Sequence, residues 1–183
     1  MMNLPNLLTA SRILLIPVFV AVFVKDSPTR SLVAALVFLV AALTDFMDGY
    51  VARRRGQTTV TGKLFDPVAD KLLIISALIL LVDFNRLPAW IAIVLIGREV
   101  AVTGLRAMAT LEGIVIPSDR LGKAKLVIQV IAILVLILDH QILPPNSHTW
   151  GVGGLAVAMV LSLISAGQYW LTFRRGTSSA AAR

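Results

Sequence analysis

The chain has 183 residues, 57% of them hydrophobic and 15% charged. A soluble domain of this size has too little interior to hide that much apolar side chain, which makes an integral membrane protein the class to expect. Absent cysteine excludes disulfides, iron–sulfur clusters and thiolate catalysis, and leaves the redox compartment open. The net charge of +7 fits loops that meet anionic head groups and phosphates, with no need for nucleic acid.

At about 150 residues per domain, one folding unit is expected, a single helical bundle. The chain opens with N-L-P-N-L-L-T-A-S-R over residues 3–12. Leu4, Leu7 and Leu8 make a small apolar face, and Pro5 suits a first helical turn. This predicts a short amphipathic helix on the membrane surface. The apolar stretch 13–24 is followed by Lys25-Asp26-Ser27-Pro28 and no small-residue cleavage site, which argues against a signal peptide. The first span is expected at about 8–24 and the second at about 31–53.

The stretch 44–71 carries the chemistry: Asp45 and Asp48 end one apolar segment, and Asp66 and Asp70 begin the next. Spacings of three and four put residues on one helix face, so Asp45, Asp48, Gly49 and Ala52 form one stripe and Gly62, Asp66 and Asp70 another. A span needs roughly 20 apolar residues. The runs 32–43 and 72–82 reach that length only with their neighbouring aspartates included. Four carboxylates near one membrane surface repel one another unless cations sit among them. Oxygen-only ligands suit two hard divalent ions, Mg²⁺ or Mn²⁺, in the arrangement that clamps a phosphoryl transfer.

The third span is expected at about 63–82, followed by a turn at 83–86, and the fourth at about 88–111. Arg98, Glu99 and Arg106 lie inside the fourth, and intramembrane arginines are functional candidates by default. The competing reading is an ion pair with Glu99 or with the aspartates. The fifth and sixth spans are expected at about 121–139 and 149–173, with residues 1–173 one domain and 174–183 a flexible polar tail. The fold class is thus all-α: a six-transmembrane-helix bundle with a short N-terminal surface helix. The loops after the second and fourth spans, with the tail, hold most of the Lys and Arg residues, which places the termini and the acidic site on the cytoplasmic side of an inner membrane.

Trp90, Trp150, Tyr169 and Trp170 are expected in interfacial belts, and His140 and His148 on the far surface. Gly151, Gly153 and Gly154 could seat either ordinary helix packing or a homodimer contact.

The pattern D-x-x-D-G-x-x-A-R, eight residues, then G-x-x-x-D-x-x-x-D resembles the signature of the CDP-alcohol phosphatidyltransferases, with every fixed position filled. The stretch from Arg98 to Arg106, with L-G-K-A-K at 121–125, Gln129 and the opening L-P-N-L-L-T-A-S-R, is similar to the bacterial phosphatidylglycerophosphate synthases. That resemblance spans about 3–129 and implies transfer of a phosphatidyl group from CDP-diacylglycerol to sn-glycerol 3-phosphate, with release of CMP. It implies that Asp45, Asp48, Asp66 and Asp70 hold two divalent metals, with Asp70 also taking the acceptor proton. Gly49, Ala52 and Gly62 leave room for the cytidine, Thr9, Thr44 and Asp48 contact it, and Arg53 offsets phosphate charge. Arg98, Arg106 and Lys123 hold the acceptor phosphate.

Three alternatives remain at this stage. One is the same chemistry with another acceptor, phosphatidylglycerol or an inositol phosphate. Another is a transporter whose carboxylates relay protons or cations. The third, a prenyltransferase, lacks its D-D-x-x-D pattern here.

Overall fold

In a computed structural model of the chain, the backbone is described for residues 4–25, 27–55, 60–112 and 120–181, and side chains for 14–25, 27–44, 71–112, 122, 124–138 and 142–174. Six helices follow one another: α1 (Leu4–Phe23), α2 (Pro28–Arg55), α3 (Val60–Asp83), α4 (Ala89–Leu111), α5 (Arg120–Ile142) and α6 (Ser147–Ala181).

Local chemistry sets several boundaries. The α2 helix starts three residues earlier than its apolar pattern suggests. Ser27 caps it, accepting the Arg30 N–H at 3.4 Å, and Pro28 fills the first helical position, where no donor is needed. At the end of α3, Asn85 takes φ of 55°. Its N–H donates to the Val82 carbonyl and that of Arg86 to the Leu81 carbonyl, a Schellman closure that turns the chain back towards α4.

Two segments differ from expectation. The surface segment and the first span form one uninterrupted α1, with Pro17 inside it. A helix in lipid keeps its backbone bonds intact wherever it can, because a freed carbonyl there has no water to turn to. At the other end, α6 continues past Arg174 to Ala181. Once a helix is nucleated, each added alanine or serine fixes one residue for one more bond.

The α5 and α6 helices make the most extensive pair, and α1 packs on α2 and α3, α2 on α5, and α4 on α6. Small residues allow the close approach: Ala34, Ala41, Ala77, Ala132 and Ala158 are buried. Such residues are what helix association in lipid needs, since lipid is as apolar as leucine and contact area drives packing. Where space is left, aromatics fill it. Phe19 lies 5.6 Å from Phe23 and 5.7 Å from Phe38, and Phe23 meets Phe84 edge-on at 5.1 Å.

The outside of the bundle is apolar. Leu14, Leu36, Ile79, Ile93, Ile131 and Leu163, one from each helix, are exposed. The interior meanwhile holds Arg86, Lys125, Gln129 and Ser165. An apolar exterior over a partly polar interior is the arrangement of a membrane protein. Among the described residues, the part of α6 from Ser147 to Arg174 is long and apolar enough to cross a bilayer, and Leu14–Phe23, Pro28–Thr44 and Ala124–Leu138 are shorter apolar stretches.

The end of the bundle holding the α3–α4 turn is tied by Arg86. Its guanidinium donates to the Leu136 and Ile137 carbonyls of α5 at 3.2 and 2.6 Å and lies over the Phe23 and Phe84 rings. His148 touches the Arg86 carbonyl through Nε2 at 3.1 Å. The expected surface histidine is thus half-buried and far from the acidic motif, which lies at the opposite ends of α2 and α3.

Candidate active site

Side-chain contacts bring the N-terminal parts of α3 and α5 to α4, and α4 to α6: Lys71 meets Thr103, Lys125 meets Glu99, Arg98 meets Ser165 and Arg106 meets Tyr169. Asp45, Asp48, Gly49, Ala52 and Arg53 lie in the last turns of α2, and Gly62, Asp66 and Asp70 in the first turns of α3. Their side chains lie outside the described residues, as do those of Thr9 and Lys123. Both stretches are continuous helix, as the same-face reading of each aspartate pair requires. The α2 and α3 helices also pack on each other. Two carboxylate pairs on adjoining helix ends, with no thiol or imidazole beside them in sequence, are a donor set that fits hard divalent ions.

Thr44, one residue before the first aspartate, turns its hydroxyl back to the Val40 carbonyl at 2.7 Å. It is half-buried. Lys71, one residue after Asp70, reaches across to α4, where its ammonium donates to the Thr103 hydroxyl. Thr103 in turn donates to the Glu99 carbonyl at 2.6 Å. The end of the acidic motif is therefore one side chain away from the middle of α4.

The charged part of α4 is built in two tiers. In the inner tier, Arg98 donates through Nη1 to Glu99 Oε2 at 3.2 Å, through Nε to the Ser162 carbonyl at 2.9 Å, and through Nη2 to the Ser165 hydroxyl at 3.2 Å. Lys125 of α5 donates to the same Glu99 oxygen at 2.6 Å. The Arg98 and Lys125 side chains are 8% and 5% exposed, whereas Glu99 is 31% exposed, so both cations sit behind the carboxylate. In the outer tier, two helical turns on, Arg106 donates to the Tyr169 hydroxyl at 2.6 Å and stacks on its ring at 4.7 Å. Arg106 is exposed.

The ion pair weighed as the competing reading of Arg98 therefore exists, and Arg98 also has partners on α6. Three of its five N–H donors are committed, leaving two without a partner among the described residues. Arg106 spends one donor on Tyr169 and has no further hydrogen-bond partner among the described residues.

Tyr169 corrects an expectation. It is buried at 6% exposure against Arg106, whereas Trp90, Trp150 and Trp170 are exposed as a belt requires. Ser162, Ser165 and Tyr169 recur at three and four residues along α6, and all three are buried. That spacing is the one signal in the sequence that could have exposed this polar face, but apolar residues surround it on every side. Lys71, Thr103 and Lys125 were missed as well, because a lone lysine or threonine near a helix end carries no pattern.

A family model described as CDP-alcohol phosphatidyltransferase matches residues 2–167. The chain belongs to this family. Among its CDP-alcohol phosphatidyltransferase relatives is a CDP-diacylglycerol–glycerol-3-phosphate 3-phosphatidyltransferase of Bacillus subtilis, 39% identical over 182 residues, covering 93% of this chain and 94% of the relative. Proteins with the same name from Pseudomonas fluorescens and Rickettsia felis are 38% and 40% identical, covering 92% and 76% of this chain and 88% and 77% of theirs.

Proposed function

We propose that this protein transfers the phosphatidyl group of CDP-diacylglycerol to sn-glycerol 3-phosphate, forming phosphatidylglycerophosphate and CMP in phospholipid biosynthesis. One observation carries the reading: a complete eight-position aspartate signature and an arginine-bearing α4 occur in a chain aligned over nearly its whole length with a relative bearing that activity's name.

In this reading Asp45, Asp48, Asp66 and Asp70 hold two divalent cations, Mg²⁺ or Mn²⁺. When bound, these ions offset the charge of the diphosphate and of the departing CMP. Gly49, Ala52 and Gly62 leave room for the cytidine, with Thr9, Thr44 and Asp48 as polar contacts and Arg53 against phosphate. Arg98, Arg106 and Lys123 hold the acceptor phosphate, with Arg106 the exposed fork and Arg98 the one anchored behind it. Asp70 accepts the proton from the acceptor hydroxyl as its oxygen bonds to the phosphatidyl phosphorus and the bond from that phosphorus to the CMP oxygen breaks. The acyl chains lie between helices or in lipid, which explains chemistry placed at membrane depth.

The six helices span the cytoplasmic membrane with both termini and the site facing the cytoplasm, and the first turns of α1 lie in the head-group layer. The outer apolar faces meet membrane lipid, and a homodimer would form through them.

The test is CMP release by purified protein in detergent or vesicles, with CDP-diacylglycerol and a panel of alcohols. Glycerol 3-phosphate should support release, a chelator should stop it, and added Mg²⁺ or Mn²⁺ should restore it. Asp70→Asn should form no CMP while still binding metal in part. Release with phosphatidylglycerol or an inositol phosphate, and none with glycerol 3-phosphate, would sink the acceptor assignment.

A further inference from the structure

Lys71, Arg98 and Lys125 approach one another across α3, α4 and α5, and one carboxylate, Glu99, stands among them. Its Oε2 accepts from both Arg98 and Lys125, and its own backbone carbonyl accepts from the threonine that holds Lys71. Asp83 and Glu112, the other carboxylates whose side chains are described, lie at the far end of α3 and just beyond α4. Enclosed like charges a few ångströms apart repel strongly where the dielectric is low. Without Glu99, Arg98 and Lys125 would therefore move apart, and α4 and α5 with them. Neither cation can turn to water, because both are nearly fully enclosed.

We infer that Glu99 is a positioning residue: by binding Arg98 and Lys125 through one oxygen, it aims the Arg98 guanidinium at the acceptor phosphate and sets the position of α5 beside it. This rests on the proposed acceptor site. The cluster keeps more positive than negative charge with Glu99 in place, so it remains attractive to a phosphate. Glu99 removes the repulsion between the two enclosed cations without cancelling that attraction. The two uncommitted N–H donors of Arg98 belong to a fork whose other three contacts already fix its plane.

The experiment compares KM for glycerol 3-phosphate and for CDP-diacylglycerol in wild type, Glu99→Gln, Glu99→Asp and Glu99→Gln/Lys125→Met. Glu99→Gln should raise KM for glycerol 3-phosphate about tenfold or more, as displacement of a binding group by an ångström does, and leave that for CDP-diacylglycerol within about twofold. Glu99→Asp retracts the carboxylate by one methylene and should show the same selective rise at smaller size; it carries the test where Glu99→Gln does not fold. The double variant restores the net charge of the cluster and should return KM to within about threefold of wild type, the coupling expected of two groups in contact. A merely structural tie would lower the folded fraction and the apparent kcat with both KM values unchanged. That result, or parallel rises for both substrates, or a double variant as impaired as Glu99→Gln, overturns the inference. A wild-type protein that makes no lipid from glycerol 3-phosphate defeats instead the function on which it rests.

Discussion

Arg106 and Arg98 lie eight residues apart on one helix, yet they are held in different ways. Arg98 is enclosed, with its plane set by a carboxylate, a carbonyl and a hydroxyl. Arg106 leans on one tyrosine among the described residues and is exposed. Charge-assisted bonds to a phosphate contribute about 1.5–3 kcal/mol each, so Arg106→Ala should raise KM for glycerol 3-phosphate by roughly thirtyfold or more. KM for CDP-diacylglycerol should change much less, and equal effects on both would remove Arg106 from the acceptor site. Tyr169→Phe keeps the stacking ring and loses only the hydroxyl that accepts from Arg106. At about 1 kcal/mol for one such bond, its KM should rise roughly fivefold. Steady-state kinetics with each substrate varied in turn reads both variants.

At the scale of elements, the α5–α6 pair sets the geometry of the inner tier, since α5 carries Lys125 and α6 carries Ser162 and Ser165. Two glycines bring these helices close. A Cβ at Gly151 would lie 2.6 Å from Cγ and Cδ2 of the buried Leu136, and one at Gly154 would lie 3.0 Å from the Ala132 Cβ. Gly153, between them, has nothing within 4 Å. The glycine stretch, read from sequence as either packing or a second-copy contact, thus packs α5 through two of its three members. Gly151→Val should cost about 1–3 kcal/mol by overpacking and lower Tm in detergent. Gly153→Ala should leave Tm unchanged or raise it slightly, since alanine is the better helix former. Equal losses in the two variants would contradict this account of the interface.

At the scale of the molecule, the bundle separates a tied end from the end that bears the proposed site. The tied end has Arg86 on the α5 carbonyls, the aromatic cluster of Phe23 and Phe84, and His148 on the Arg86 backbone. The end with the proposed site collects Lys71, Thr103, Glu99, Lys125 and both α4 arginines. The cysteine-free sequence makes the proposed topology directly testable. Asn146→Cys, in the exposed turn before α6, should react with an impermeant maleimide applied from outside the cytoplasmic membrane. Thr177→Cys, near the end of α6, should react only once the cytoplasmic side is opened. The reverse pattern would put the active site on the wrong face for cytoplasmic substrates.

The sequence alone pointed to the membrane class, the all-helical fold and the reaction, but not to the fusion of the surface segment with the first span. Composition points to membrane character, apolar run length to where helices lie, and the spacing of four aspartates to the proposed chemistry, because all three are local or one-dimensional properties. It also pointed to Arg98, Arg106 and Glu99, since charge inside an apolar run is conspicuous. Tertiary structure decided their partners. Which face of α6 turns inward cannot be read from a helix apolar on all sides, so Tyr169 passed for a belt residue and Ser162 and Ser165 passed unnoticed. Lys125 looked like one more loop cation until its ammonium met Glu99 of α4, because burial and pairing across helices depend on packing and leave no mark on spacing along the chain.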